Sequence, residues 1–299
     1  MGISSQMKSR YSTMNPKEDF HFVELLKACA KQKDLANGSR LHGDILKKGL
    51  LQKCPHLAST LISMYSKCGM MSKSQQVLDE IPIRTVVSWN SLISGYAQMG
   101  QSREALNFFE YMQSEGLSPD AITFTAILKA CGNIRDIEKG KQIHDEIISR
   151  DLMRGNVVLG TSLVDMYAKC GMLEKAQEVH DELLVRNVIS WSALISAYAQ
   201  QGQGELALKC FDRMQDEGIS PNKVTFTCIL KACGSTGDIM KGKHIHDEVI
   251  SRGLLSNDIV LGTALVDMYA KCGMLTKAAE VLDNLPIQDV VTWSALIAG

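Results

Sequence analysis

The run Lys27-Ala28-Cys29 returns as Lys129-Ala130-Cys131 and again as Lys231-Ala232-Cys233, each time 102 positions further on. Tyr65, Tyr167 and Tyr269 keep the same interval, as do Trp89, Trp191 and Trp293, and His42, His144 and His246. A fixed long period means one structural unit copied in tandem. The chain is therefore an array and not a globule with a single pocket. Arrays present long surfaces of equivalent positions, and such surfaces bind extended partners.

The 102-residue period divides further, into 86–120, 121–156 and 157–187, with lengths of 35, 36 and 31 residues. The next copy is 188–222, 223–258 and 259–289, and 290–299 opens another unit. Upstream, 19–54 and 55–85 match the 36- and 31-residue segments. Each unit reads as two helices. In 86–120, Trp89, Leu92, Ile93 and Tyr96 fall at i, i+3, i+4 and i+7, one stripe of an amphipathic helix. Gly100 suits a left-handed helix stop, and Ser102 suits the N-cap of a second helix whose buried face is Ala105, Phe109 and Met112. Gly116 and the Ser118-Pro119-Asp120 turn close the unit, because proline cannot continue a helix interior. Neither helix buries its stripe alone, so neighbours must stack around one continuous core.

Composition narrows the function. No apolar run approaches the ~18 residues of a membrane span, so no membrane partner is expected. The net charge of −1 argues against binding nucleic acid by bulk electrostatics and demands locally placed cations and base contacts instead. Six of nine cysteines occupy two repeated positions, Cys29/Cys131/Cys233 and Cys68/Cys170/Cys272, flanked by helix formers. They read as small buried thiols in a reducing compartment. Residues 1–18 read as a disordered leader or a weak organelle transit segment, with Lys8, Arg10 and Lys17 among several serines.

His144-Asp145-Glu146, His180-Asp181-Glu182 and His246-Asp247-Glu248 spell H-x-E, the first half of a zinc deaminase signature. The P-C-x-x-C partner is absent, and residues two apart on a helix point to different sides. Repetition explains two of the three matches. The sequence carries no Gly-rich phosphate loop, nucleophile elbow or clustered carboxylates, so no catalytic residue, metal site or cofactor is expected.

The segment Met112-Gln113-Ser114-Glu115-Gly116-Leu117-Ser118-Pro119-Asp120 resembles the end of a pentatricopeptide repeat. The 35/36/31 alternation looks like the P, L and S units of the plant PLS subclass. Leu128-Lys129-Ala130-Cys131 and Gly140-Lys141-Gln142-Ile143-His144 are similar to the L unit, and Met166-Tyr167-Ala168-Lys169-Cys170-Gly171 to the S unit. On this resemblance 19–54, 121–156 and 223–258 are L units, 55–85, 157–187 and 259–289 are S units, 86–120 and 188–222 are P units, and 290–299 is a truncated P unit. Tetratricopeptide repeats compete, but their unit keeps one length of about 34 residues. The implied fold is all-α, a right-handed α-solenoid superhelix of tandem helix-turn-helix repeats.

The resemblance implies single-stranded RNA as partner, one base per repeat, selected by the fifth and last residues of each unit. Asn90 with Asp120 resembles a uridine reader, Thr161 with Asn187 and Ser192 with Asn222 resemble adenosine readers, and Thr263 with Asp289 a guanosine reader. Ionised Asp only accepts hydrogen bonds, which suits the ring N–H of uracil or guanine; Asn can also donate. The second residue shares a helix face with the fifth, so Val87, Ile122, Val158, Ile189, Val224 and Val260 are placed to flank base rings, with Val291 after them. The L pairs Thr125/Asn156 and Thr227/Asp258 follow the family rule poorly and stay unread. Val23 with Cys54 and Ser59 with Thr85 carry no familiar combination. Lys67, Lys169 and Lys271 lie two helical turns beyond a fifth residue, about 12 Å on, where either a phosphate contact or a plain solvated lysine favouring the helix dipole fits.

Family resemblance further implies a mitochondrial or chloroplast protein acting in RNA processing or C-to-U editing, as a specificity factor with a deaminase or another processing factor supplied in trans. The alternative is a protein–protein interaction scaffold using the same groove. Trp293, Leu296 and Ile297 of the incomplete last unit are expected to fray or to pair with another chain.

Overall fold

A computed structural model describes residues 16–285 and 288–298. Among them the regular elements are helices alone: α1 (Pro16–Gln32), α2 (Leu35–Lys47), α3 (Pro55–Lys67), α4 (Met71–Glu80), α5 (Val86–Gln98), α6 (Ser102–Ser114), α7 (Ala121–Ile134), α8 (Ile137–Ser149), α9 (Val157–Lys169), α10 (Leu173–Glu182), α11 (Val188–Gln200), α12 (Gly204–Asp216), α13 (Lys223–Thr236), α14 (Ile239–Ser251), α15 (Ile259–Lys271), α16 (Leu275–Asp283) and α17 (Val290–Ala298), with a 3₁₀ turn at Leu254–Asn257. The expected leader, 1–18, falls outside the described residues except where α1 begins, at Pro16.

The helices gather into two compact units, one ending at Ile147 and the other starting at Ile148. In the first, α1, α3, α5 and α7 pack side by side in that order, and α2, α4 and α6 follow their partners as helical hairpins. In the second, α9, α11, α13, α15 and α17 form the corresponding row, with α10, α12, α14 and α16 as the hairpin partners. The stripe Trp89, Leu92, Ile93 and Tyr96 is buried, and so are Ala105, Phe109 and Met112 opposite it.

Unit lengths have a simple origin. Both helices of 86–120 and of 188–222 have 13 residues, whereas α4 and α10 have only 10 and α16 has 9. The 31-residue spacing is thus a shortened second helix, not a lost turn at the groove. Glycines at φ +76 (Gly100) and +77 (Gly116) stop the helices of 86–120, a conformation that costs other residues strain. Ser102 does not cap α6 as expected. The cap position falls on Gln101, and the Ser102 hydroxyl points into the core with no protein partner. With Gly100 reversing the chain one residue earlier, Ser102 is already inside the first turn.

Arg and Glu pin successive hairpins around Trp89 and Trp191. Trp89 Nε1 donates to Glu115 Oε2 at 3.0 Å while Arg84 holds the other oxygen at 2.5 Å. Trp191, Glu217 and Arg186 repeat the arrangement at 3.0 and 2.8 Å. All nine cysteines are free thiols; Cys29, Cys131 and Cys233 are buried, but Cys68, Cys170 and Cys272 are only half-buried. The second set lies at helix C-caps, on the rim of the core, which corrects the expectation of full burial.

Candidate nucleic-acid interface

From 85 onwards every unit boundary is also a helix start. The last residue of one unit occupies the N-cap of the next first helix, and its side chain accepts from one or two of that helix's free N–H groups. Cys54, at the N-cap of α3, makes no such bond. Asp120 Oδ1 accepts from Ile122 N and Thr123 N, both at 2.9 Å. Asn187 Oδ1 accepts from Ile189 N and Ser190 N at 2.9 and 3.0 Å. Asn222 Oδ1 takes Thr225 N at 2.9 Å, and Asp289 Oδ1 takes Thr292 N at 2.8 Å. Capping fixes each side chain and commits one atom. What remains is Oδ2 on Asp, an acceptor, and Nδ2 on Asn, a donor. The Thr292 hydroxyl and N–H hold the Asp289 carboxyl below the usual carboxylate range, so it stays ionised.

The second residues form an exposed aliphatic series: Val87, Ile122, Val158, Ile189, Val224, Val260 and Val291 are each 55–65% exposed. What sets them apart from the chain's other exposed hydrophobics is that they recur at one position of every unit from 86 onwards. They also wall clefts. Val87 and Ile122 bound one of about 330 Å³ that contains Asn90, Asp120 and Lys67. Ile189 and Val224 bound a second, of about 310 Å³, containing Ser192, Asn222 and Lys169. Val260 and Val291 bound a third, of about 570 Å³, containing Thr263, Thr227 and Lys231; Asp289 is not part of its lining.

The fifth residues sit deeper than the sequence suggested. Asn90 and Ser192 are buried, at 5% and 6% exposure, on the cleft floors. Asn90 does not extend freely outwards: Nδ2 donates to Asp120 Oδ1 at 2.9 Å and Oδ1 accepts from the Thr123 hydroxyl at 2.6 Å. Thr161 and Thr263 are half-buried and donate to the carbonyls of Val157 and Ile259 at 2.7 and 2.8 Å. Among the pairs left unread, Asp258 is engaged otherwise, with Oδ1 on Leu261 N and Oδ2 3.2 Å from Lys223 Nζ. Burial raises its carboxyl pKa, but these contacts outweigh burial and hold it low.

Two of the three lysines singled out for phosphate are paired within their own helix. Lys169 Nζ lies 2.7 Å from Asp165, and Lys271 Nζ 2.7 Å from Asp267. Such exposed pairs are worth about 0.5 kcal/mol, so an arriving phosphate displaces the aspartate at little cost. Ser63 stands where those aspartates stand, and Lys67 makes no ion pair among the described residues. Lys231 is the cation that sequence reasoning missed. It lines the third cleft four residues after Thr227, a spacing that was legible.

The H-x-E histidines lie elsewhere. His180 is fully buried 4.3 Å from the Trp191 ring, and burial, reinforced by Arg186, pushes its pKa down to about 4. His246 Nδ1 is 2.8 Å from the Tyr269 hydroxyl. Among the described residues no three His, Cys, Asp or Glu side chains gather to hold a metal.

Stacked helical hairpins with walled clefts at repeat boundaries define a helical-repeat protein. The PPR repeat family models match residues 58–84, 84–133, 122–152, 161–188, 186–235, 224–254 and 263–286, and the chain belongs to this family. It is similar to a mitochondrial pentatricopeptide repeat-containing protein of Arabidopsis thaliana, 36% identical over 94% of this chain and 50% of the relative. A chloroplastic relative from the same plant is 35% identical over 94% of this chain and 45% of its own length. The chain spans about half the length of these curated relatives. Among solved structures, the pentatricopeptide repeat protein PPR10 in complex with an 18-nt psaJ RNA element superposes with a TM-score of 0.71 at 19% identity, over 87% of this chain and 39% of that one. That likeness establishes the α-solenoid fold.

Proposed function

We propose that this chain binds single-stranded RNA sequence-selectively, as a pentatricopeptide array of the PLS type reading one base per repeat. The observation that carries the reading is the cap geometry. In Asp120, Asn187, Asn222 and Asp289 the cap commits Oδ1 and leaves a second acceptor on Asp or a donor on Asn, beside exposed aliphatic second residues. A base ring sandwiched between two aliphatic side chains meets that atom with its edge. Asn offers its amide hydrogen to the ring acceptor of adenine, and Asp accepts the ring N–H of uracil or guanine. On this basis 86–289 prefers 5′-U-N-A-A-N-G-3′, with the two L units silent.

The chain's place in the cell follows from its relatives, several of which are named mitochondrial or chloroplastic. It acts in an organelle as a non-catalytic specificity factor in RNA processing or C-to-U editing, with the chemistry supplied by another protein. The decisive experiment is an unbiased RNA selection on purified protein. Enrichment of the hexamer above is expected; a flat pool, or binding that tolerates any base at the Asn187 and Asn222 positions, would sink the reading.

A further inference from the structure

In three units the fifth residue and the cap residue are joined by a third side chain. Thr123 Oγ1 donates to Asn90 Oδ1 at 2.6 Å and lies 3.1 Å from Asp120 Oδ1. Thr225 Oγ1 lies 2.7 Å from Ser192 Oγ and 3.0 Å from Asn222 Oδ1. Thr292 Oγ1 donates to Asp289 Oδ1 at 2.7 Å and lies 3.0 Å from Thr263 Oγ1, whose one proton is shared between Thr292 and the Ile259 carbonyl. Each of these threonines is the third residue of the following unit, and each is fully buried.

Where the third residue is serine, the hydroxyl goes elsewhere. Ser88 donates to the Thr85 carbonyl at 2.8 Å and Ser190 to the Asn187 carbonyl at 3.0 Å. Thr161, facing Ser190, is left with the carbonyl of its own helix alone, whereas Thr263 has both that carbonyl and Thr292 within reach. Where the third residue is Leu261, no hydroxyl exists, and Asp258 turns to Lys223. The methyl of threonine limits its χ1 choices and favours the bridging rotamer, whereas serine is free to rotate onto the cap carbonyl.

We propose that the third residue of a following repeat is a positioning residue for base selection: as threonine it ties the fifth residue and the cap residue into one hydrogen-bonded unit whose outward atoms are already aimed. This rests on the base-reading proposed above. A pair wired in this way needs no ordering when RNA arrives, so its selectivity is expressed in full. The pair Thr161/Asn187, lacking the bridge, reads its base loosely.

Two exchanges test this, both using side chains that the chain already carries at this position: Thr225→Ser and Ser190→Thr. Binding is measured for RNA hexamers varied singly opposite Ser192/Asn222 and opposite Thr161/Asn187, with melting curves to report folding. Thr225→Ser is expected to lower discrimination at its own base by roughly three- to tenfold, the worth of one hydrogen bond, and Ser190→Thr to raise it at the other base by a similar factor. Selectivity opposite Asn90/Asp120 stays unchanged and serves as the control. Base ratios that do not move, or affinity that falls equally for all bases, overturn the positioning role while leaving the wild-type preferences, and the reading, intact. A wild-type protein without base preference anywhere overturns both. Should one variant fail to fold, the other carries the test alone.

Discussion

Asn187 is where helix capping can be told apart from the proposed base selection. Its Oδ1 closes α11, and Asp caps a helix as well as Asn does, so Asn187→Asp keeps the helix while exchanging an outward donor for an acceptor. The base opposite 157–187 is expected to move from A towards G in a gel-shift panel, with the melting midpoint changed by less than about 0.5 kcal/mol. An unmoved preference counts against the cap as reader. His180 makes a second prediction. It is neutral in the folded chain, with a pKa near 4, and more basic once unfolded. Between about pH 6.5 and 4 the unfolded state therefore binds the extra proton. Stability present above that window drains as the pH falls through it, by at most about 3 kcal/mol. His180→Phe should flatten this part of a melting-versus-pH profile; an equally steep profile would assign the acid sensitivity to other groups.

At the element scale, helix pairing depends on small side chains and on the tryptophan clamps. A Cβ on Gly95 of α5 would meet Ser66 Oγ and Cβ of α3 at 2.5 and 2.7 Å. Gly95→Ala should thus destabilise by about 1–3 kcal/mol in a denaturant titration, despite the better helix propensity of alanine. Glu217→Ala leaves the Trp191 Nε1 and the Arg186 guanidinium without their acceptor, at a cost of about 1–3 kcal/mol. In α17, Val290, Trp293 and Ile297 are exposed. Low hydrogen-exchange protection over 290–298 is expected in a dilute monomer, and high protection would show that these residues are covered. Helix positions were readable in the sequence because Gly100 and the apolar stripe leave few alternatives. The cap of α6 was not, because serine favours caps and first turns alike, and only the path of the chain after Gly100 decides between them.

For the whole molecule the net charge of −1 limits what salt can do. Lys67 and Lys231 line clefts, and Lys129 is exposed four residues after Thr125; none of the three forms an ion pair among the described residues. With Lys169 and Lys271, which release their aspartates at little cost, about five phosphate contacts predict a log–log salt slope of roughly −3.5 for single-stranded RNA. A much steeper slope would mean that charge, not base contact, drives binding. The 102-residue period by itself implied the helical array, its unit lengths and the series of aliphatic second residues, because each copy sets the same residue types at the same places. Only tertiary structure decided how deep Asn90 and Ser192 sit, that Asp165 and Asp267 hold two of the lysines, and that a buried threonine meets both the fifth residue and the cap residue. Those facts depend on side chains of different units meeting across a packed interface, and distance along the chain carries no record of which atom a buried hydroxyl will choose.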